Sequence, residues 1–104
     1  MSNGLRHGFL EAVYKNALVL EFEARGLFVR KERSFPVHYR EVQVGYHVAD
    51  LVVENLVIVE LKALEGLAQS HFAQVLNYLK ASRLPVGLLL NFGKLRLEMK
   101  RIIL

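Results

Sequence analysis

The chain has 104 residues, 53% of them apolar, and its 14 Lys and Arg against 10 Asp and Glu leave a formal charge of +4. That length supports a single domain spanning residues 1–104, and the apolar fraction excludes a disordered chain while leaving room for a homodimer or a protein partner. The absence of cysteine excludes disulfides, thiolate metal sites and cysteine nucleophiles, so any metal must be held by oxygen or imidazole; the composition fits a cytoplasmic protein.

From Gly8 to Arg25, Phe9, Val13, Ala17, Leu20 and Ala24 recur at three- and four-residue steps and Gly26 supplies a stop, which predicts a long amphipathic helix. Phe35, Val37 and Tyr39 then alternate with Pro36, His38 and Arg40, the period of a half-exposed strand, and Pro36 points to an edge or irregular position. Val44 to Val53 continues as extended chain. After a break at Glu54 and Asn55, Leu56 to Lys62 resumes with β-branched residues, so the two segments read as a central antiparallel hairpin. Glu54, Glu60 and Lys62 interrupt this most apolar region, which excludes a membrane span, and the N-terminus lacks the layout of a signal peptide.

A second helix follows from about Gln69 to Arg83, with Phe72, Val75, Leu76 and Leu79 on one side, until Pro85 stops it. Val86 to Asn91 is a short apolar run suited to a strand covered on both faces. Past Gly93, Leu95, Leu97 and Met99 alternate with Arg96, Glu98 and Lys100, predicting a last strand with one wet face. The order αβββαββ implies an α/β (α+β) fold with a mixed sheet flanked by two helices.

Charges inside the apolar hairpin need a physical reason. Glu60 and Lys62 stand two apart and share a strand face, while Val59 and Leu61 take the other. A loop of odd length, such as Glu54 to Leu56, places Asp50 directly opposite Glu60; a two-residue turn would put them on different faces. Opposed carboxylates repel unless a cation intervenes. Magnesium or manganese suits such a place, because hard ions take oxygen ligands, keep waters and use one or two carboxylates. Asp50 and Glu60 are then candidate ligands, the Leu61 carbonyl a third, and Lys62 a candidate to orient the attacking water. Taken alone, an ExK pair is common on solvated strand faces, and its company carries the weight.

That company is Gly8, Glu11 and Tyr14 in GxxExxY, then Ala49-Asp50-Leu51, Val59-Glu60-Leu61-Lys62 and Gln74-Val75-Leu76-Asn77-Tyr78. The set, in this order, resembles the GxxExxY family, a compact branch of the PD-(D/E)xK nuclease superfamily. The resemblance implies a restriction-endonuclease-like core, with Asp50 and Glu60 as acidic metal ligands, Lys62 as the motif lysine and Glu11 as an acidic residue brought to the metal from the first helix. It also implies that Gln74 and Tyr78 stand for the QxxxY element of RecB-like and lambda-exonuclease-like nucleases, which supports the site and contacts substrate. Gly8, Glu11 and Tyr14 share a helix face, where Gly8 permits close approach. His71 shares a face with Gln74 and Tyr78 and reads as a hydrogen-bonded surface or boundary histidine. Ala49 replaces the proline of the family's Pro-Asp pair.

The expected function is metal-dependent hydrolysis of nucleic-acid phosphodiesters, with DNA ahead of RNA as the polymer and the basic excess favouring a polyanion. The alternatives are an inactive nucleic-acid-binding or protein-interaction module that keeps the nuclease fold, and a toxin or defence component dependent on a partner. No glycine-rich phosphate loop, HExxH, GxSxG or dinucleotide fingerprint is present.

Overall fold

Helix α1 spans Asn3–Ala24, and what ends it is the geometry foreseen at Gly26. This residue takes φ 78°, its amide donates to Glu23 O at 3.0 Å, and the Leu27 amide donates to Phe22 O at 3.0 Å. The two bonds satisfy last-turn carbonyls, and Leu27 and Phe22 pack in the same core to close the motif. The structure, a computed structural model, describes residues 3–93 and 97–104, with side chains from Phe9 onward. The expected roles of Gly8, as a point of close approach, and of Leu95 and Arg96, as alternating strand residues, lie outside those descriptions.

Five strands form one sheet in the order β1-β2-β3-β4-β5. β1 (Val29–Tyr39) and β2 (Val42–Val53) make a long antiparallel hairpin whose tip, Arg40 and Glu41, has φ 49° and 66°. Both central residues at positive φ mark a type I′ turn. β1 begins well before the predicted Phe35, because the charged run Arg30–Arg33 is the edge-strand protection of a strand with one open side. β3 (Val57–Lys62) follows the three-residue turn Glu54–Leu56, and Val53 pairs with Val57. α2 (Gln69–Ser82) then carries the chain across to β4 (Val86–Asn91), parallel to β3, and β5 (Glu98–Ile103) returns antiparallel. The sheet is mixed, with Pro36 on an edge strand and β3 at the centre, as predicted.

Each face of the sheet has its own core. Phe35, Ala49, Val52, Ile58 and Leu89 meet Val75, Tyr78 and Leu79 of α2. Contact there is close: a Cβ on Gly87 would stand 2.5 Å from Val75 Cγ1, so β4 has no side chain where the helix crosses. Leu51, Val53, Val59, Leu61 and Leu90 meet Leu18, Val19 and Phe22 of α1. No described helix is long and apolar enough to cross a membrane.

Two expectations are corrected. The predicted apolar stripe of α1 is its outer side, with Phe9 and Leu20 each 69% exposed, and the helix is turned to bring Glu11, Lys15, Leu18, Val19 and Phe22 toward the sheet. Apolar residues surround this helix, so spacing alone cannot choose its buried face; polar partners for Glu11 and Lys15 do. In β5 the supposedly dry residues Leu97 and Met99 are exposed, while Ile102 packs inward against the core beneath α2. α1 lies over β3 and β1, and α2 is the helix that packs on β5.

Candidate active site

β2 and β3 pair as far as Leu51↔Val59 and then separate, β2 continuing alongside β1 and β3 alongside β4. A forked ladder leaves main-chain amides that must find partners. Here two carboxylates supply them. The Asp50 amide donates to Glu60 Oε2 at 2.9 Å, and the Leu61 amide donates to Asp50 Oδ2 at 2.8 Å. The odd-length turn thus brings Asp50 and Glu60 level, as its parity requires, but they meet as crossed side-chain-to-backbone bridges in place of a regular pair.

The fork also breaks the alternation of β2. Ala49 faces the α2 core and Leu51 the α1 core, although residues two apart in a regular strand share a face. Across β1 the residue level with Asp50 is Glu32, at φ 53°, in a gap between the pairs Lys31↔Leu51 and Arg33↔Ala49. A non-glycine residue in that conformation costs about 1 kcal/mol. Lys15 reaches Glu32 Oε1 at 2.9 Å and holds its carboxyl below the usual carboxylate range.

Glu60 is 3% exposed at the centre of the sheet. Burial first, then the charge of Asp50 and a hydrogen bond with it, push its carboxyl up to about 9, against the smaller opposing pull of the Asp50 amide and of Lys62. Tyr78, from α2, stands beside it. Its hydroxyl is pushed up to about 12 by burial first, then by the charge of Glu60, a hydrogen bond with it and the charge of Asp50, against a smaller opposing pull from Gln74. Gln74 and Tyr78 therefore meet the carboxylates from the α2 side, and alternation along β3 puts Lys62 on that side too.

Glu11 arrives from the other face. Its Oε1 accepts from the Ala63 amide at 3.2 Å, and with Lys15, Asp50 and Leu61 it lines a cleft of about 100 Å³. Tyr14, one turn on, stacks on Phe92 with ring centroids 4.1 Å apart and planes 6° from parallel. His71 is a helix cap: its Nδ1 accepts from the Ala68 amide at 2.8 Å, where it starts α2. Asp50 and Glu60 offer oxygen donors of the kind a hard divalent cation takes, with the cleft beside Asp50 leaving room for the waters such an ion keeps. Among the described residues, no three His, Cys, Asp or Glu side chains gather closely enough to hold a metal by themselves.

Three residues of this region were not foreseen. Lys15 is one turn beyond Glu11, a signal the spacing did contain. His47 leans on Tyr78, with ring centroids 4.5 Å apart. Asn91 is fully buried: its Oδ1 accepts from the Leu64 and Gly93 amides at 2.8 and 3.1 Å, and its Nδ2 donates to Leu64 O at 2.9 Å and Glu98 Oε1 at 2.8 Å. With the Phe92 amide on Lys62 O at 2.8 Å, it clamps the chain that leaves Lys62. Asn91→Ala should cost about 3 kcal/mol, because it strands buried main-chain groups. Thermal denaturation followed by circular dichroism should show a fall of at least about 10 °C; a smaller loss than about 1 kcal/mol would mean the clamp is dispensable.

A mixed sheet between two helices, with an acid on each branch of a central fork and a lysine two residues past the second acid, defines the class. The family model of the PD-(D/E)XK nuclease superfamily matches residues 1–102, and the chain belongs to that superfamily. Its architecture is accordingly restriction-endonuclease-like. No curated protein and no solved structure matches the chain significantly.

Proposed function

We propose that this protein is a metal-dependent nuclease of the GxxExxY branch that hydrolyses phosphodiester bonds in nucleic acid, DNA ahead of RNA. The observation that carries the reading is the buried Glu60 set against Asp50, with Lys62 on the same face of the central strand, in a chain of nuclease ancestry. Asp50 and Glu60 would hold magnesium or manganese, with the Leu61 carbonyl as a further oxygen and Glu11 approaching from α1. When bound, the ion polarises the phosphodiester and stabilises the charge that develops on it.

The chain's own groups do the rest. Lys62 donates a hydrogen bond to the attacking water and fixes its direction, a positioning that a flexible ammonium on a fixed strand performs well. Tyr78 keeps its proton at neutral pH, since its hydroxyl is held up to about 12, and is a donor for a phosphate oxygen. Gln74 holds that hydroxyl in place. The apolar residues beneath both helices limit water around the pair, which strengthens each of these contacts.

Incubation with single- and double-stranded DNA and RNA, in magnesium, manganese or EDTA, tests the reading. Cleavage is expected with metal and not in EDTA. Lys62→Met should lower the rate by about 10²–10⁴ while leaving metal binding and melting temperature nearly unchanged, because Lys62 is only partly buried. Undiminished cleavage by that variant would remove Lys62 from the mechanism.

A further inference from the structure

Two clefts of unequal size lie on the two faces of the sheet. The cleft beside Asp50, under α1, has about 100 Å³, enough for an ion and a few waters of about 30 Å³ each and too little for a nucleotide. A second cleft of about 720 Å³ opens between the β1–β2 hairpin and α2, lined by Pro36, His38, His47, Asn77, Lys80 and Arg83 among others, and among the described residues no acidic side chain lines it. That volume suits a ligand of a few tens of atoms. Its wall is one side chain from the carboxylates, because His47, which lines it, leans on Tyr78 and Tyr78 stands beside Glu60.

We propose that this cleft binds a single strand of nucleic acid and leads it to the carboxylate pair. The inference rests on the nuclease reading for the direction of the strand. Lys80 and Arg83 lie one turn apart at the end of α2 and supply positive charge for successive phosphates, while the imidazoles of His47 and His38 offer ring faces on which bases stack. A positive groove combined with ring faces is the general solution for binding a single strand without reading its sequence. The cleft has room for about two nucleotides of one strand and not for both strands of a duplex.

Arg83 makes the inference separable from stability. It is the C-cap of α2 at φ 61°, with its amide donating to Leu79 O at 2.8 Å. Glycine is the residue best suited to that backbone, so Arg83→Gly removes the side chain without harming the helix end. The experiment measures fluorescence anisotropy of a labelled single-stranded DNA, the same sequence as RNA, and the matching duplex, all in EDTA so that no turnover enters. Wild-type protein should bind a single strand more tightly than the duplex. Lys80→Gln/Arg83→Gly should weaken that binding at least about tenfold and lower the slope of log affinity against log salt by about two, with a melting temperature for Arg83→Gly no lower than wild type. Lys100→Gln/Arg101→Gln, on the opposite edge strand β5, should change affinity less than about twofold.

Equal binding by the groove variant and wild type, tighter binding of the duplex, or no binding by wild type overturns the proposal. Binding without metal-dependent cleavage leaves the groove and removes the nuclease reading. Cleavage unchanged in Lys80→Gln/Arg83→Gly leaves the nuclease reading and removes the groove.

Discussion

Asp50→Asn is expected to abolish metal-dependent cleavage, by about 10³-fold or more, while making the metal-free protein harder to melt in alkali, above about pH 9. The two effects have one origin. In the fold Asp50 adds negative charge beside a buried Glu60 that burial already pushes toward its protonated form, so in the absence of a cation the pair is strained only once pH rises far enough to ionise Glu60. An asparagine oxygen can still accept from the Leu61 amide, which Asp50 Oδ2 accepts at 2.8 Å, and the fork therefore survives the change. What disappears is one anionic ligand, and a loss of 10³ in rate corresponds to about 4 kcal/mol of transition-state stabilisation. Manganese titration by calorimetry should show weaker binding, and melting in EDTA above about pH 9 should move upward. Glu11→Gln is the internal comparison: its carboxylate is engaged with the Ala63 amide at 3.2 Å, so the expected loss is smaller, about tenfold. An Asp50→Asn protein that cleaves at the wild-type rate would end the assignment of the fork as the reaction centre.

The parts of this architecture that were legible beforehand are those decided by local chemistry. β-Branched runs, Pro36 and Pro85, and the stop at Gly26 each act within a few residues, and the parity of the Glu54–Leu56 turn is enough to bring Asp50 and Glu60 level. The orientation of α1 was not legible, because Phe9, Val13 and Leu20 form as good a stripe as Leu18, Val19 and Phe22. The deciding terms are the Ala63 amide and Glu32, 52 and 17 residues from their partners Glu11 and Lys15. The hairpin tip was hidden for a different reason: Arg40 and Glu41 adopt a turn whose usual signature is Asn-Gly. Asn91 and His47 were missed because an amide or imidazole inside a strand says nothing about partners that only the assembled sheet brings near. The crossed bridges at the fork belong to the same category, since periodicity describes regular pairing and the site occupies the point where pairing fails.

Stability of the metal-free protein should fall as pH rises from about 5 to 9, the reverse of an ordinary salt-bridged acid. An acid whose folded value lies above its unfolded one binds more protons folded than unfolded. Its contribution is fully present below the unfolded value of 4.5 and is lost as pH climbs through the folded value of about 9. The groups that act on Glu60 agree with that sign, with burial and the charge of Asp50 raising it and Lys62 as the opposing cation. A divalent ion competes with the same proton. Manganese affinity should therefore rise about tenfold per pH unit between pH 6 and 8.5, each binding event releasing a proton, and the ion should restore the stability lost to alkali. At a hundredfold excess over its dissociation constant it should contribute about 2.7 kcal/mol, visible as a melting shift larger at pH 8.5 than at pH 6 for equal metal. In Glu60→Gln, which carries no titrating group at that position, both the alkaline loss and the pH-dependence of the metal shift should vanish together. Manganese affinity that stays flat across this range in the wild-type protein would mean that Glu60 is not the group the ion displaces a proton from, and the fork would then lose its claim to the metal.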